Sequence, residues 1–125
     1  GDSYFAVGGL NNNKILSAVN IIKLGKEFIR SIKEIDDSTP EMELKIRIGV
    51  HTGPIVAGVI GKNKFAYDLW GASVNMANRL ETTCPPGHIQ ISEETKTLLM
   101  DKFSYKIQKL TDIKGIGSIN TYLIV

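Results

Sequence analysis

The residues best suited to chemistry gather between Phe65 and Glu81. Asp68 stands among Tyr67, Leu69 and Trp70, and a carboxylate in such company needs a partner, because an unpaired buried charge is costly. Asn75 and Arg79 follow at i and i+4, a spacing that projects both from one face of a helix, one turn apart. Val74, Ala77 and Leu80 form a stripe that points elsewhere. An amide beside a guanidinium can hold a polyanion while Asp68 reads the polar edge of a ring. A second candidate is Lys114, next to Gly115 and close to Gly117, since flexible glycines beside a lysine suit phosphate contact. A third is Asp2, after Gly1, a carboxylate placed where metal-binding acids often stand.

Each has a plainer reading. Arg79 could be a solvated helix residue paired with Glu81, Asn75 a local cap, Lys114 a soluble turn and Asp2 an exposed acid. For Asp68 the plain reading is the least comfortable, given its apolar flanks. His51 and His88 lack metal-ligand spacing and read as turn or strand-edge residues. Cys84, before Pro85, reads as a small helix-end filler.

The elements that must position these residues follow from periodicity. Tyr4–Val7 reads as a short strand closed by Gly8-Gly9 and the Asn11-Asn12-Asn13 cluster. A long amphipathic helix is expected from about Lys14 to Ile35, with Ile15, Ala18, Val19, Ile22, Phe28, Ile29, Ile32 and Ile35 recurring on its apolar face, ended by the stretch from Asp36 to Pro40. Leu44, Ile46, Ile48 and Val50 alternate with Lys45 and Arg47, the pattern of a half-buried strand over Leu44–Val50. Strands are expected again at Ile55–Ile60 and Phe65–Trp70, then a helix after Gly71 that stops before Pro85-Pro86-Gly87. His88–Ile91 reads as a strand, Ser92 as the N-cap of a helix, and Tyr105–Leu110 and Asn120–Val125 as a final pair. Several strand pairs have connections too short for parallel crossovers. The expected fold class is α+β, with a mixed or antiparallel sheet covered by helices.

Bulk properties narrow the function. The chain has 125 residues, enough for one domain with a real core, and residues 1–125 are read as a single domain. Fifteen basic and thirteen acidic side chains give a net charge of +2, too mild to argue for nucleic acid or a membrane surface. An RNA-binding sheet would gather basic and aromatic residues on exposed strands, and one Trp, four Tyr and four Phe give that little support. The single Cys84 excludes an internal disulfide framework. With no apolar run of membrane-spanning length, a cytoplasmic location is expected, including that of a cytoplasmic domain in a membrane-anchored parent.

The run Lys45-Ile46-Arg47-Ile48-Gly49-Val50-His51-Thr52-Gly53-Pro54, followed by Val56-Ala57-Gly58-Val59-Ile60-Gly61, resembles the central hairpin of class III adenylate and guanylate cyclases. Tyr67-Asp68-Leu69-Trp70-Gly71, Val74–Glu81, the opening Gly1-Asp2-Ser3-Tyr4 and Asp112-Ile113-Lys114-Gly115 resemble further motifs of that family, in the same order. The similarity covers nearly the whole chain. It implies a ferredoxin-like α+β core that works as a homodimer with active sites at the subunit interface. It also implies two divalent ions, Mg²⁺ or Mn²⁺, which help the ribose 3′-hydroxyl attack the α-phosphate and expel pyrophosphate. By position, Asp2 resembles a metal carboxylate and Asn75 the residue that orients the ribose. Arg79 matches the group that stabilises charge on the α-phosphate, and Lys114 the contact to the terminal phosphates. Asp68 matches the base-reading position, where the guanylate branch typically has Cys, and so implies ATP and cyclic AMP.

The same resemblance implies that a strand bearing the first metal Asp, two helices and a further strand precede the Gly-Asp motif. A purine-reading Lys belongs just upstream of it. The expectation is therefore a C-terminal portion of a cyclase domain, inactive alone and prone to self-association through an uncovered edge. The rival readings are a non-catalytic cyclase-homology module for dimerisation or nucleotide sensing, and a guanylate cyclase.

Overall fold

The computed structural model describes residues 3–9, 13–39, 41, 43–60, 66–113 and 117–125, the side chains of 56–60, 66–70 and 110–113 set aside. Helix α1 spans Lys14–Ser38. Asn13 caps it by accepting a hydrogen bond from the Leu16 N–H at 3.0 Å, satisfying one of the free amides of the first turn. The helix runs three residues beyond the expected Ile35. Ser38 Oγ donates back to the Glu34 carbonyl at 2.9 Å, and the turn comes only at Thr39, whose N–H donates to Asp36 O. The Asp36 carboxylate then accepts from the Leu44 N–H at 2.9 Å and turns the chain towards the sheet.

The strands are β1 (Ile48–Val50), β2 (Val56–Ile60), β3 (Ala66–Trp70), β4 (Ile89–Ser92), β5 (Tyr105–Ile113) and β6 (Gly117–Ile124). Helix α2 covers Ala72–Thr82 and α3 covers Glu93–Leu99. Four strands form a mixed sheet in the order β1-β4-β6-β5, with β1 parallel to β4 and the other neighbours antiparallel. The β2–β3 pair is a separate antiparallel hairpin. The α+β expectation with a mixed sheet holds.

The final pair, expected over Tyr105–Leu110 and Asn120–Val125, extends inward to Tyr105–Ile113 and Gly117–Ile124, and two other expected strands are lost or shortened. Residues 3–9, which include Tyr4–Val7, adopt no regular strand, since a strand exists only as a member of a ladder and this segment has no ladder partner among the described residues. The Leu44–Val50 alternation becomes a strand only over Ile48–Val50, because the partner β4 offers just Ile89–Ile91 for parallel pairing.

Successive residues of a strand face opposite sides, and the sheet uses both. Ile89, Ile91, Tyr122 and Ile124 pack with Ala18, Ile22 and Leu99, so α1 and α3 cover one face. Gly25 lets α1 lie close: a Cβ there would meet Ile89 Cδ1 at 3.1 Å and Ile48 Cδ1 at 3.3 Å. The neighbours Gly49 and Gln90 face α2 on the other side. The α3 end is tied by Ser92, whose side chain accepts from the Thr95 N–H, and by Tyr122, whose hydroxyl donates to Glu93 at 2.6 Å.

Candidate active site

The window singled out by the sequence is built from the β2–β3 hairpin and α2. Asp68 lies mid-strand in β3, paired in register with Gly58 of β2. Three residues later the chain reaches Gly71, whose φ of 119° is a left-handed conformation that side chains disfavour. This residue turns the strand directly into α2, and its carbonyl accepts the first helical bond from the Asn75 N–H at 3.1 Å. Leu80 is fully buried, with Val74 and Ala77 half-buried beside it, while Asn75 and Arg79 are exposed. The expected division of α2 into an anchoring stripe and an outward pair is therefore present. Asp2 and Lys114 lie outside the described residues, as does the side chain of Asp68.

The inner face of α2 sits directly on the backbone of β1. A Cβ on Gly49 would lie 2.5 Å from the Ala77 carbonyl oxygen and 2.8 Å from the Leu80 carbonyl carbon, so only glycine permits this approach. The end of the helix is held by polar contacts. Arg47 donates to the Thr82 carbonyl at 3.3 Å and lies 3.8 Å from the Glu81 carboxylate. Gln90, fully buried, donates to the Leu80 carbonyl at 2.7 Å. Such carbonyls at a helix C-terminus have no partner within the helix. Cys84 follows as the expected helix-end filler; its thiol donates towards the His88 carbonyl at 3.2 Å, and burial pushes its pKa up.

Sequence reasoning passed over the polar cluster after β1. His51 is not a plain turn residue: its Nδ1 lies 2.7 Å from Ser92 Oγ and 3.7 Å from Glu94. Thr52 Oγ1 meets Thr95 Oγ1 at 2.9 Å, and Thr95 reaches Ser92 at 3.2 Å. Burial holds His51 below the usual histidine range, with Glu94 opposing that shift. The available signal was the pairing of a histidine after β1 with the N-cap serine that ends β4, two strands that run side by side. His88 is exposed, with Nδ1 3.0 Å from the Pro86 carbonyl, in keeping with its expected strand-edge place.

A cavity of about 540 Å³ opens between the 3–9 segment, the start of α1, the loop after β1, and Ser73 and Val74. Neither Asn75 nor Arg79 lines it. Among the described residues no three His, Cys, Asp or Glu side chains converge as metal ligands. The described residues therefore do not by themselves make a metal site; the carboxylate assigned to one, Asp2, is outside them. Among the described residues no helix is long and apolar enough to cross a membrane.

Known proteins similar to this chain are nucleotide cyclases. Adenylate cyclase type 9 of Gallus gallus is 33% identical over 98% of this chain, which spans 10% of that protein. Receptor-type guanylate cyclase gcy-10 of Caenorhabditis elegans is 49% identical over 64% of the chain and 8% of its own length. Among solved structures, the guanylate cyclase domain of RhGC from Catenaria anguillulae, in complex with GTP, superposes with a TM-score of 0.82 at 31% identity, covering 94% of this chain and 64% of that one. The adenylyl cyclase CyaB from P. aeruginosa gives 0.84 at 26%, covering 92% and 62%. The model of the adenylate and guanylate cyclase catalytic domain matches residues 1–125. The chain thus belongs to the class III nucleotide cyclase catalytic-domain family.

Proposed function

We propose that this chain is the C-terminal part of an adenylate cyclase domain that converts ATP to 3′,5′-cyclic AMP and pyrophosphate. The observation that carries the reading is the outward pair Asn75 and Arg79, one turn apart on a helix whose other face is seated on the sheet. That pair enters through Gly71 from the strand bearing Asp68.

In the reaction the ribose 3′-oxygen forms a bond to the α-phosphorus as its proton leaves, and the bond from the α-phosphorus to pyrophosphate breaks. Asn75 orients the ribose through its amide. The guanidinium of Arg79 donates to the α-phosphate oxygens as charge develops on them, where a planar fork fits phosphoryl geometry. Lys114 contacts the terminal phosphates. Asp68 accepts from the adenine amino group, and a site built to pair that edge rejects guanine by leaving buried polar groups unpaired. Divalent ions of the Mg²⁺ or Mn²⁺ kind belong to the reading through Asp2, and a second copy of the chain completes the site.

The test is cyclic nucleotide production from ATP and from GTP, with Mg²⁺ or Mn²⁺, by the chain and by the parent protein that carries the whole domain. Activity in the parent with ATP preferred supports the reading. A preference for GTP replaces it with the guanylate branch, to which gcy-10, 49% identical, belongs. No activity in either leaves a regulatory homology module. In the active parent, Arg79→Ala is expected to lower turnover on the order of 100-fold while leaving ATP affinity nearly unchanged; unchanged turnover removes Arg79 from its role.

A further inference from the structure

Gln90 is a buried amide in the middle of β4, flanked by Ile89 and Ile91, with no exposed surface. Both of its N–H donors are used. One goes to the Leu80 carbonyl at 2.7 Å and the other to Thr83 Oγ1 at 2.8 Å. Those partners fix the orientation of the amide, since a carbonyl can only accept and the atom facing it must be the nitrogen. On the other side Gln90 Oε1 accepts from Thr121 Oγ1 at 3.0 Å, and the same hydroxyl lies 2.9 Å from the Gln108 carbonyl of β5. Thr83 Oγ1, having accepted from Gln90, donates its own proton to the carbonyl of Arg79 at 2.7 Å. The Thr83 N–H reaches the same oxygen at 3.0 Å.

A continuous chain of hydrogen bonds thus runs from the sheet through Thr121, Gln90 and Thr83 to the backbone of Arg79. We infer that Gln90 is the positioning residue for Arg79, fixing the rotation and axial setting of the last turn of α2 from which the guanidinium projects. The inference rests on the role proposed for Arg79.

The network is more than helix-end satisfaction. Thr82 Oγ1 also bonds back along the helix, to Asn78 O at 2.8 Å, but only Thr83 adds an acceptor contact to a side chain rooted in the sheet. An apolar side chain of the same size would fill the space and leave α2 free to slide over the Gly49 contact. Fully satisfied buried networks restrict a packing arrangement in this way.

The test uses the parent protein carrying the whole domain, with turnover and KM measured for ATP alongside thermal melting. Gln90→Met keeps the volume and removes both donors. It is expected to lower kcat about 10-fold with KM within about 2-fold, the signature of a displaced transition-state group. Thr83 is exposed, so Thr83→Val tests the relay without opening the core. It is expected to lose turnover in the same direction, and Thr83→Ser, which retains the hydroxyl, to restore it. In an Arg79→Ala background, Gln90→Met is expected to add less than about 2-fold, since the two act as one unit.

Folded Gln90→Met and Thr83→Val proteins with wild-type kcat, while Arg79→Ala is impaired, overturn the positioning role and leave the cyclase reading intact. Full additivity with Arg79→Ala also overturns it. An unimpaired Arg79→Ala overturns the reading beneath it and this inference together.

Discussion

Replacing Gly49 with alanine places one methyl group between β1 and α2. The strain is steric and comes from rigid atoms: the new carbon would sit 2.5 Å from the Ala77 carbonyl oxygen and 2.8 Å from the Leu80 carbonyl carbon. No side-chain rotation relieves either contact, because both belong to the helix backbone. The Glu81 backbone nitrogen lies closer still, so restoring an ordinary separation of 3.4 Å requires α2 to retreat by at least about 0.9 Å, or the strand to give by the same amount. Overpacking of this kind costs about 1–3 kcal/mol, equivalent to several degrees in melting temperature for a domain of this size. The retreat carries Asn75 and Arg79 with it, and on the catalytic roles proposed for them a displacement of about 1 Å lowers turnover on the order of 10- to 100-fold. The assay pairs thermal melting with cyclic nucleotide production by the parent protein. Wild-type melting together with wild-type turnover would refute the reasoning, since α2 would then not be seated on the β1 backbone. A lowered melting temperature with intact turnover would keep the packing and sever its link to Arg79.

Asp68→Cys is expected to loosen the preference for ATP in the active parent; an unaltered ATP/GTP ratio removes Asp68 from base recognition. Because burial lowers the folded pKa of His51, the unfolded chain takes up a proton first as pH falls. Stability is then full above about pH 6.5 and declines below it towards the folded value. Melting followed from neutral pH downwards should show this slope, and His51→Asn should flatten it; equal slopes would assign the acid sensitivity elsewhere. Asn13→Ala is expected to cost about 1 kcal/mol in chemical denaturation through loss of the α1 cap, with Asn13→Ser close to wild type. Equal midpoints for all three would show that the cap bond contributes nothing.

Helix α1 was legible because 3.6-residue periodicity is a local property, and Ala18 and Ile22 are buried as the pattern requires, but Ile15, Phe28 and Ile35 of the same stripe are exposed, since which turns meet the sheet is decided by tertiary packing. The outward pair Asn75 and Arg79 was legible for the same reason. Tyr4–Val7 was misread because strand residues announce a tendency, while a strand needs a neighbour that one segment cannot specify. Leu44–Val50 was overextended likewise, its true length being set by β4. Gln90 gave a faint signal, a single amide between two isoleucines, but its meaning depends on which helix carbonyl faces it. Ser92 was read correctly as a helix cap, yet its second bond, to His51, spans 41 positions and belongs to tertiary structure. Asp2 and Lys114 remain assignments from motif position.

The parallel pairing of β1 with β4 has a consequence for how the domain forms. Ile48 pairs with Ile89, 41 residues further on, and the β2–β3 hairpin and α2 lie inside that loop. Closing so long a loop costs entropy before any contact rewards it, whereas β5 and β6 are neighbours in sequence, with Ile113 paired to Gly117, and need almost no search. During synthesis β1 emerges well before its partner, and α2 has no completed surface to rest on until β4 arrives. Helix α2 is thus among the last elements to acquire its seat. By the same reckoning it is among the first to loosen, so its amides should exchange with solvent deuterium before those of the β5–β6 ladder.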